Sequence, residues 1–290
     1  MNRQSFCGPT PGLRPLVRFY TEREGRIGTP ALVHPVTARA TPMIEFIFGD
    51  PIYAVPREQG TVRESPSVVV VGPQTHRRLD LHLQGVLKFF VIMFQPDGLN
   101  RLFSIPMCEL TDADFDGHAV LGAFISRVRE RLGECKSFEQ RAGLVDELLL
   151  HRALVSPEYD GISAAANRIL LGGGRASIAA LADRAGLSMR HFERRFIERV
   201  GMRPKLFARI ARFEAALDGK ARFTAKSWTD VAHQFGYYDQ MHMVHDFGEF
   251  TGETPTGTLV HLENVFRERL LKVRSPRDSE AAGDDSRVFF

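Results

Sequence analysis

Residues 181–204, LADRAGLSMRHFERRFIERVGMRP, and residues 231–255, VAHQFGYYDQMHMVHDFGEFTGETP, follow one plan. An internal repeat constrains a fold more than any single motif, because each copy must satisfy the same backbone geometry. Both copies carry an apolar residue followed by alanine (Leu181-Ala182, Val231-Ala232), and a glycine four residues after the alanine (Gly186, Gly236). Both close on Phe-x4-Gly-x2-Pro, at Phe196, Gly201, Pro204 and at Phe247, Gly252, Pro255. The offset is 50 at the first glycine and 51 afterwards, so the second copy holds one extra residue in its turn or following helix.

Each shared feature has a physical cause. A small residue lets a first helix approach a second at a steep angle. Glycine supplies the left-handed conformation that ends the first helix and makes a tight turn. Ser188 and Asp239 are suited to N-cap the helix that follows. Phe192 with Phe196, and Met243 with Phe247, sit at i,i+4 and face a core, so the residues between them point outward. The pattern predicts helices over 177–185, 189–199, 228–235 and 240–250, with a linking helix near 205–217. One such pair of helices also describes a hairpin in a bundle. Two in tandem with matching endings describe a pair of helix-turn-helix units. A linking helix of that length spans roughly 20 Å, compatible with adjacent major grooves that recur about every 34 Å.

The charge distribution points the same way. The net charge of +3 says little, but residues 162–226 hold 14 Lys/Arg against 5 Asp/Glu, whereas residues 227–260 hold no Lys or Arg and 5 Asp/Glu. A basic block beside an acidic one bears directly on nucleic-acid binding. With 290 residues, 43% hydrophobic and 25% charged, the chain suits two domains with real cores. Cys7, Cys108 and Cys135 lie far apart with no CxxC pairing, which argues against a disulfide framework or structural zinc and fits a reducing compartment. The N-terminus lacks a signal-peptide apolar region, and the longest strongly apolar stretch, 89–94, is far too short to span a bilayer. A soluble, cytoplasmic protein with no membrane partner is the expectation.

Residues 42–96 read as β. Segments 43–48, 68–71, 79–83 and 86–94 are rich in β-branched and aromatic residues and are separated by Gly/Pro punctuation. Phe46, Phe48, Phe89, Phe90 and Phe94 offer an apolar interior, for core packing in preference to a ligand cavity. After Pro96 the period becomes helical: Val120, Phe124, Val128 and Leu132, then Phe138, Leu144, Val145, Leu148 and Leu149. The expected class is α+β. A mixed β-sheet or barrel domain with amphipathic helices occupies 1–155, a linker 156–161, and an all-α domain with two helix-turn-helix units (about 177–199 and 228–250) 162–260. A polar, disordered tail is expected at 275–290.

The run Ile178, Leu181-Ala182, Gly186-Leu187-Ser188, Phe192, Arg194, Phe196, then Gly236-Tyr237, Asp239, His242-Met243, Phe247, Gly252 and Pro255, resembles the AraC/XylS regulators over about residues 160–257. Residues 1–155 resemble, more distantly, the mixed β/α sensor domains that precede that module. The resemblance implies that the second helix of each unit enters a major groove of double-stranded DNA. It also implies an N-terminal domain that binds a small-molecule effector or mediates homodimerisation. Carried over by position, the outward residues are Arg190, Glu193 and Arg194 in the first unit, which begins at Ser188, and Gln240, Met241 and His245 in the second. Arginine pairs with guanine, glutamine with adenine, and glutamate accepts from cytosine. Arg184, Arg195, Arg199, Arg203 and Lys205 would meet phosphates. The family usually has Arg where this chain has His245, and Lys or Arg where it has Gly248. The second unit is therefore expected to grip DNA more weakly than the first, or to serve mainly as its structural partner.

Other constellations carry less. Gly172-Gly173-Gly174 precedes no Gly-Lys-Ser/Thr and reads as a helix end, not a phosphate loop. His76 and His82, on an extended strand, would stand about 20 Å apart and share no metal. His242 reads as structural. An enzyme or a DNA-repair alkyl acceptor fused to a DNA reader is the alternative, but the first lacks a nucleophile elbow such as Gly-x-Ser-x-Gly. The second would need four zinc-binding cysteines near the N-terminus, where this chain has one. No catalytic activity and no cofactor are expected.

Overall fold

The computed structural model describes residues 3–58 and 60–261; the tail expected at 275–290 lies outside them. The N-terminal half contains β1 (Arg3–Cys7), β2 (Val17–Pro35), β3 (Met43–Ile47), β4 (Tyr53–Pro56), β5 (Arg63–Glu64), β6 (Val68–Val71), β7 (Leu79–Phe94) and β8 (Asp114–Asp116). They form one antiparallel sheet in the order β1-β2-β7-β3-β6-β8, with β4 also on β7 and β5 on β4. β1 and β8 do not pair, so the sheet is open and not a closed barrel.

β7 is the organising strand. It pairs with β2, β3 and β4, and it runs unbroken through the two segments that the sequence separates at Gln84-Gly85. β2 lies where the sequence shows no strand. Glu22, Arg23, Glu24 and Arg26 interrupt its apolar positions, and Gly25, Gly28 and Pro30 read as punctuation. Its pairing with β7 holds it in place, and buried Glu22 meets Arg141 at 2.9 Å.

Alternate side chains divide between the two faces of the sheet. Ile44, Phe46, Val68, Val70, Phe90, Ile92 and Phe94 pack with Ile125, Val128 and Leu132 of α2 (Gly117–Glu134) and with Val145 and Leu149 of α3 (Phe138–Ala153). Ile47, Ile52, Val69, Val71 and Leu83 cluster on the opposite face. Each fully buried aliphatic or phenyl side chain contributes about 1.5–3 kcal/mol. Phe46, Phe90 and Phe94 are completely buried against these helices and build core, whereas Phe48 and Phe89 are half-buried. α1 (Gly98–Phe103) follows β7 and faces the second half of the molecule.

From residue 161 onward the described chain contains no strand. It forms α4 (Gly161–Leu171), α5 (Ile178–Arg184), α6 (Met189–Val200), α7 (Pro204–Arg222), α8 (Trp228–Gln234) and α9 (Gln240–Thr251). One core joins Ile169, Leu181, Phe192, Phe196, Phe207, Phe213, Leu217, Val231, Met243 and Phe247, to which, among the described residues, the N-terminal half adds only Ala38 and Ala40. α7 has 19 residues, about 28 Å at 1.5 Å per residue. That is longer than the 205–217 segment of the apolar stripe, because Asp218, Gly219 and Ala221 stay buried past its end. Arg101, itself buried, pins the connection between the halves by donating to the carbonyls of Pro157 and Pro15.

Candidate nucleic-acid interface

In the first unit, the Ser177 hydroxyl accepts from the Ala180 amide and starts α5. Buried Ala182 lets α6 cross close by, and Gly186, at φ +67°, turns the chain. In the second unit Gly236, at φ +76°, makes the same turn. A side chain other than glycine there would pay about 1–2 kcal/mol for the left-handed backbone. Ser188 caps α6 by accepting from the His191 amide, and Asp239 caps α9 by accepting from the His242 amide at 2.7 Å. Ser227 and Asp230 form a reciprocal capping box at the start of α8. Phe192, Phe196, Met243 and Phe247 are fully buried. These buried residues orient the remaining face of each second helix outward.

The structure divides the expected contact residues into two groups. Arg190 and Arg194 are exposed on α6, and neither pairs with a carboxylate among the described residues. Glu193 between them is half-buried. Arg195, which is exposed, and Arg199, which is half-buried, are both held by carboxylates of the protein. Arg195 meets Asp160 at 2.9 Å, and Arg199 reaches Asp97 at 2.7 Å and Asp160 at 3.3 Å. Burial alone would raise the Asp160 carboxyl, but the Ser163 amide and the two guanidiniums outweigh it and hold it below the usual carboxylate range. Asp97 and Asp160 carry no local signal of this role, since Arg199 is 102 residues from Asp97 in the chain.

In the second unit Gln240, Met241 and His245 are exposed along α9, with Met241 at 71%. The acidity of this unit has a structural explanation. Asp230 belongs to the capping box and Asp239 is an N-cap. Glu253 pairs with Arg77 and with His261, each at 2.7 Å. Arg209 on α7 spans Asp246 and Glu249 at 2.6 Å each, which raises the basicity of its guanidinium and lowers the Glu249 carboxyl. All five carboxylates of 227–260 thus cap helices or tie α9 to its neighbours. Asp246 is buried and points away from the exposed face.

His245, Asp246 and Glu249 also lie close enough to hold a cation, with candidate ligand atoms within 4.8 Å. Arg209 already neutralises both carboxylates from one side. A metal there would face a fixed positive charge, and the residues do not fit one.

The N-terminal half contacts the C-terminal ends of both outward helices. Thr111 Oγ1 donates to the Gly201 carbonyl at 2.8 Å, just past α6. At the last two residues of α9, Arg77 donates to the Thr251 carbonyl at 3.1 Å, and the Ala38 amide donates to the Phe250 carbonyl at 3.0 Å. The N-terminal halves of α6 and α9, which carry Arg190, Arg194, Gln240, Met241 and His245, stay exposed on one module. Among the described residues no helix is long and apolar enough to cross a membrane.

Two family profiles match the chain. Residues 181–259 match a helix-turn-helix domain, and residues 5–116 match a domain of unknown function, DUF6597. No curated protein matches in sequence. Among solved structures, ToxT from Vibrio cholerae O395 is 11% identical, with a TM-score of 0.47 over 84% of this chain and 98% of its own. An apo ToxT variant from V. cholerae strain SCE256 is 10% identical, with a TM-score of 0.49 over 84% of this chain and 97% of its own. The AraC-like transcriptional activator CuxR is 12% identical, with a TM-score of 0.28 over 71% of this chain and 93% of its own. The tandem units, their caps and the match over 181–259 show that the chain carries a helix-turn-helix domain, in keeping with its sequence resemblance to the AraC/XylS transcription regulators.

Proposed function

We propose that this regulator reads a specific operator in which the first unit supplies most of the grip. The observation that carries the reading is the state of Arg190 and Arg194. Both are exposed on the outward face of a capped, core-anchored helix, and no carboxylate among the described residues pairs with them. Each can donate a bidentate pair to guanine O6 and N7. Arg184, Arg203 and Lys205 add positive charge nearby for phosphates, whereas Arg195 and Arg199 hold the protein together. The second unit presents Gln240, Met241 and His245 with no lysine or arginine between 227 and 261. It therefore contributes shape and base contact more than electrostatic attraction.

The N-terminal domain is the sensing part in this reading. It touches the ends of both outward helices. The two halves meet along a narrow cleft between Arg18, Ala38 and Thr41 on one side and Phe213 and Leu217 of α7 on the other. The test is a titration of the full chain on a selected operator across a range of salt. Log K should fall by about 0.9 for each phosphate contact per log unit of salt. Salt-independent binding, or a slope unchanged in an Arg184, Arg203 and Lys205 triple alanine variant, would refute the assignment of the basic face.

A further inference from the structure

The second unit repeats the backbone of the first with different chemistry at its leading positions. Counted from the caps Ser188 and Asp239, Arg190 corresponds to Met241 and Arg194 to His245. Met241 is 71% exposed, and Tyr238, the residue before the cap, is 88% exposed. Beside them the Thr229 hydroxyl donates to Gln240 Oε1 at 2.7 Å. That bond engages the amide oxygen from the α8 side and leaves Nε2 as the outward donor. An apolar thioether, an aromatic ring and one oriented N–H group thus occupy the face where the first unit has two arginines.

The major groove has one apolar landmark, the C5-methyl of thymine. We propose that the second unit selects a thymine-bearing step. Met241 and Tyr238 pack on the methyl group, and Gln240 Nε2 donates to thymine O4 or an adjacent purine N7. The proposal rests on the reading that α9 faces DNA. Two observations choose DNA as the occupant of this apolar face: its equivalence by repeat to the Arg190 face, and its place on the same module, joined to that face through the single helix α7. Such contacts need no cation. A unit built on them gains specificity without counterion release, which accounts for a reading helix that keeps its fold-maintaining carboxylates and lacks basic residues.

The test uses the full-length chain and duplexes selected from a random-sequence library. The half-site weakened by Arg194→Ala belongs to the first unit, and the other half-site is then probed with deoxyuridine in place of each thymine. Wild-type affinity should fall about fourfold per contacted methyl, the transfer value of one buried carbon group converted to a binding ratio. Met241→Ala should weaken binding to the thymine duplex by a similar factor and should lose less than the wild type on deoxyuridine. Met241→Arg should move the selected pair at that position toward G·C. Met241 is exposed, so neither variant threatens the core. A wild-type chain indifferent to deoxyuridine, a G·C pair selected by the wild-type second unit, or Met241→Ala and deoxyuridine losses that simply add would each overturn the proposal. If the wild-type chain enriches no sequence at all, the DNA-reading assignment fails, and this proposal falls with it.

Discussion

Arg199 on α6 donates through Nη2 to the carboxylate of Asp97 in the N-terminal domain at 2.7 Å, and Asp97 has no solvent exposure. The same carboxylate accepts from Ser163 on α4, so one buried acid joins the strand-β7 exit, the start of the helical module and the end of its first outward helix. The helix that presents Arg190 and Arg194 is therefore anchored, at its far end, to the domain proposed to sense.

Removing one partner of a buried ion pair costs about 3–5 kcal/mol, because the other charge is left behind. Asp97→Ala is expected to lower the unfolding free energy by about 3 kcal/mol. Arg194→Ala, at an exposed position with no carboxylate partner among the described residues, should leave stability within about 0.5 kcal/mol and weaken specific DNA binding by about 1–3 kcal/mol. Denaturant unfolding and operator titration of the two variants separate the roles. Equal effects of both variants on stability would contradict the division.

A second pair sets the attitude of α9. Arg209 neutralises Asp246, which is buried, and Glu249, which is not. Arg209→Ala should destabilise the module by about 3 kcal/mol, whereas Glu249→Gln should cost under about 1 kcal/mol. Thermal or denaturant unfolding checks the ordering. Comparable losses in the two variants would mean that Asp246 is not the partner that matters.

His34 on β2 gives the N-terminal domain a pH dependence. Burial pushes its imidazole down to about 3, and repulsion from Arg23, Arg39 and Arg77 adds to the effect. In the unfolded chain it titrates near 6.5. Between those values the unfolded state takes up a proton that the native state refuses, so stability falls as pH drops below about 6.5, by up to ~1.4 kcal/mol per pH unit. Unfolding midpoints measured from pH 7 to pH 5 should decline in the wild type and flatten in His34→Gln. Parallel declines would remove His34 as the cause.

Two glycines with left-handed backbones should respond differently to alanine. A Cβ at Gly186 meets nothing within 4 Å, so Gly186→Ala carries only the backbone cost, about 1–2 kcal/mol. A Cβ at Gly201 runs into the Thr111 hydroxyl and the Met107 carbonyl. Gly201→Ala should cost distinctly more, and Thr111→Ala should recover only part of the difference, because the carbonyl remains. Similar unfolding free energies for the two alanine variants would show that the N-terminal domain gives way at this contact.

The helix-turn-helix repeat was legible because its determinants are local. Caps, the turn glycines and i,i+4 aromatic pairs act within a few residues of one another, so Ser188, Gly186 and Phe192 announce their roles in the chain itself. Met241 and His245 were legible for the same reason, since a helix with one buried face fixes where its other residues point. The strand β2 was not, because polar residues and turn-formers interrupt its apolar pattern and its order comes from pairing with β7. The fate of individual charges was also hidden. Arg194 and Arg195 are adjacent in sequence, yet one faces solvent with no carboxylate partner among the described residues and the other meets Asp160. Asp246 reads as an acidic obstacle to DNA, but it is buried beneath Arg209. Local spacing determines which face of a helix a side chain occupies. Only tertiary packing decides what stands opposite that face, because an ion pair forms through space and leaves no periodic mark on the chain.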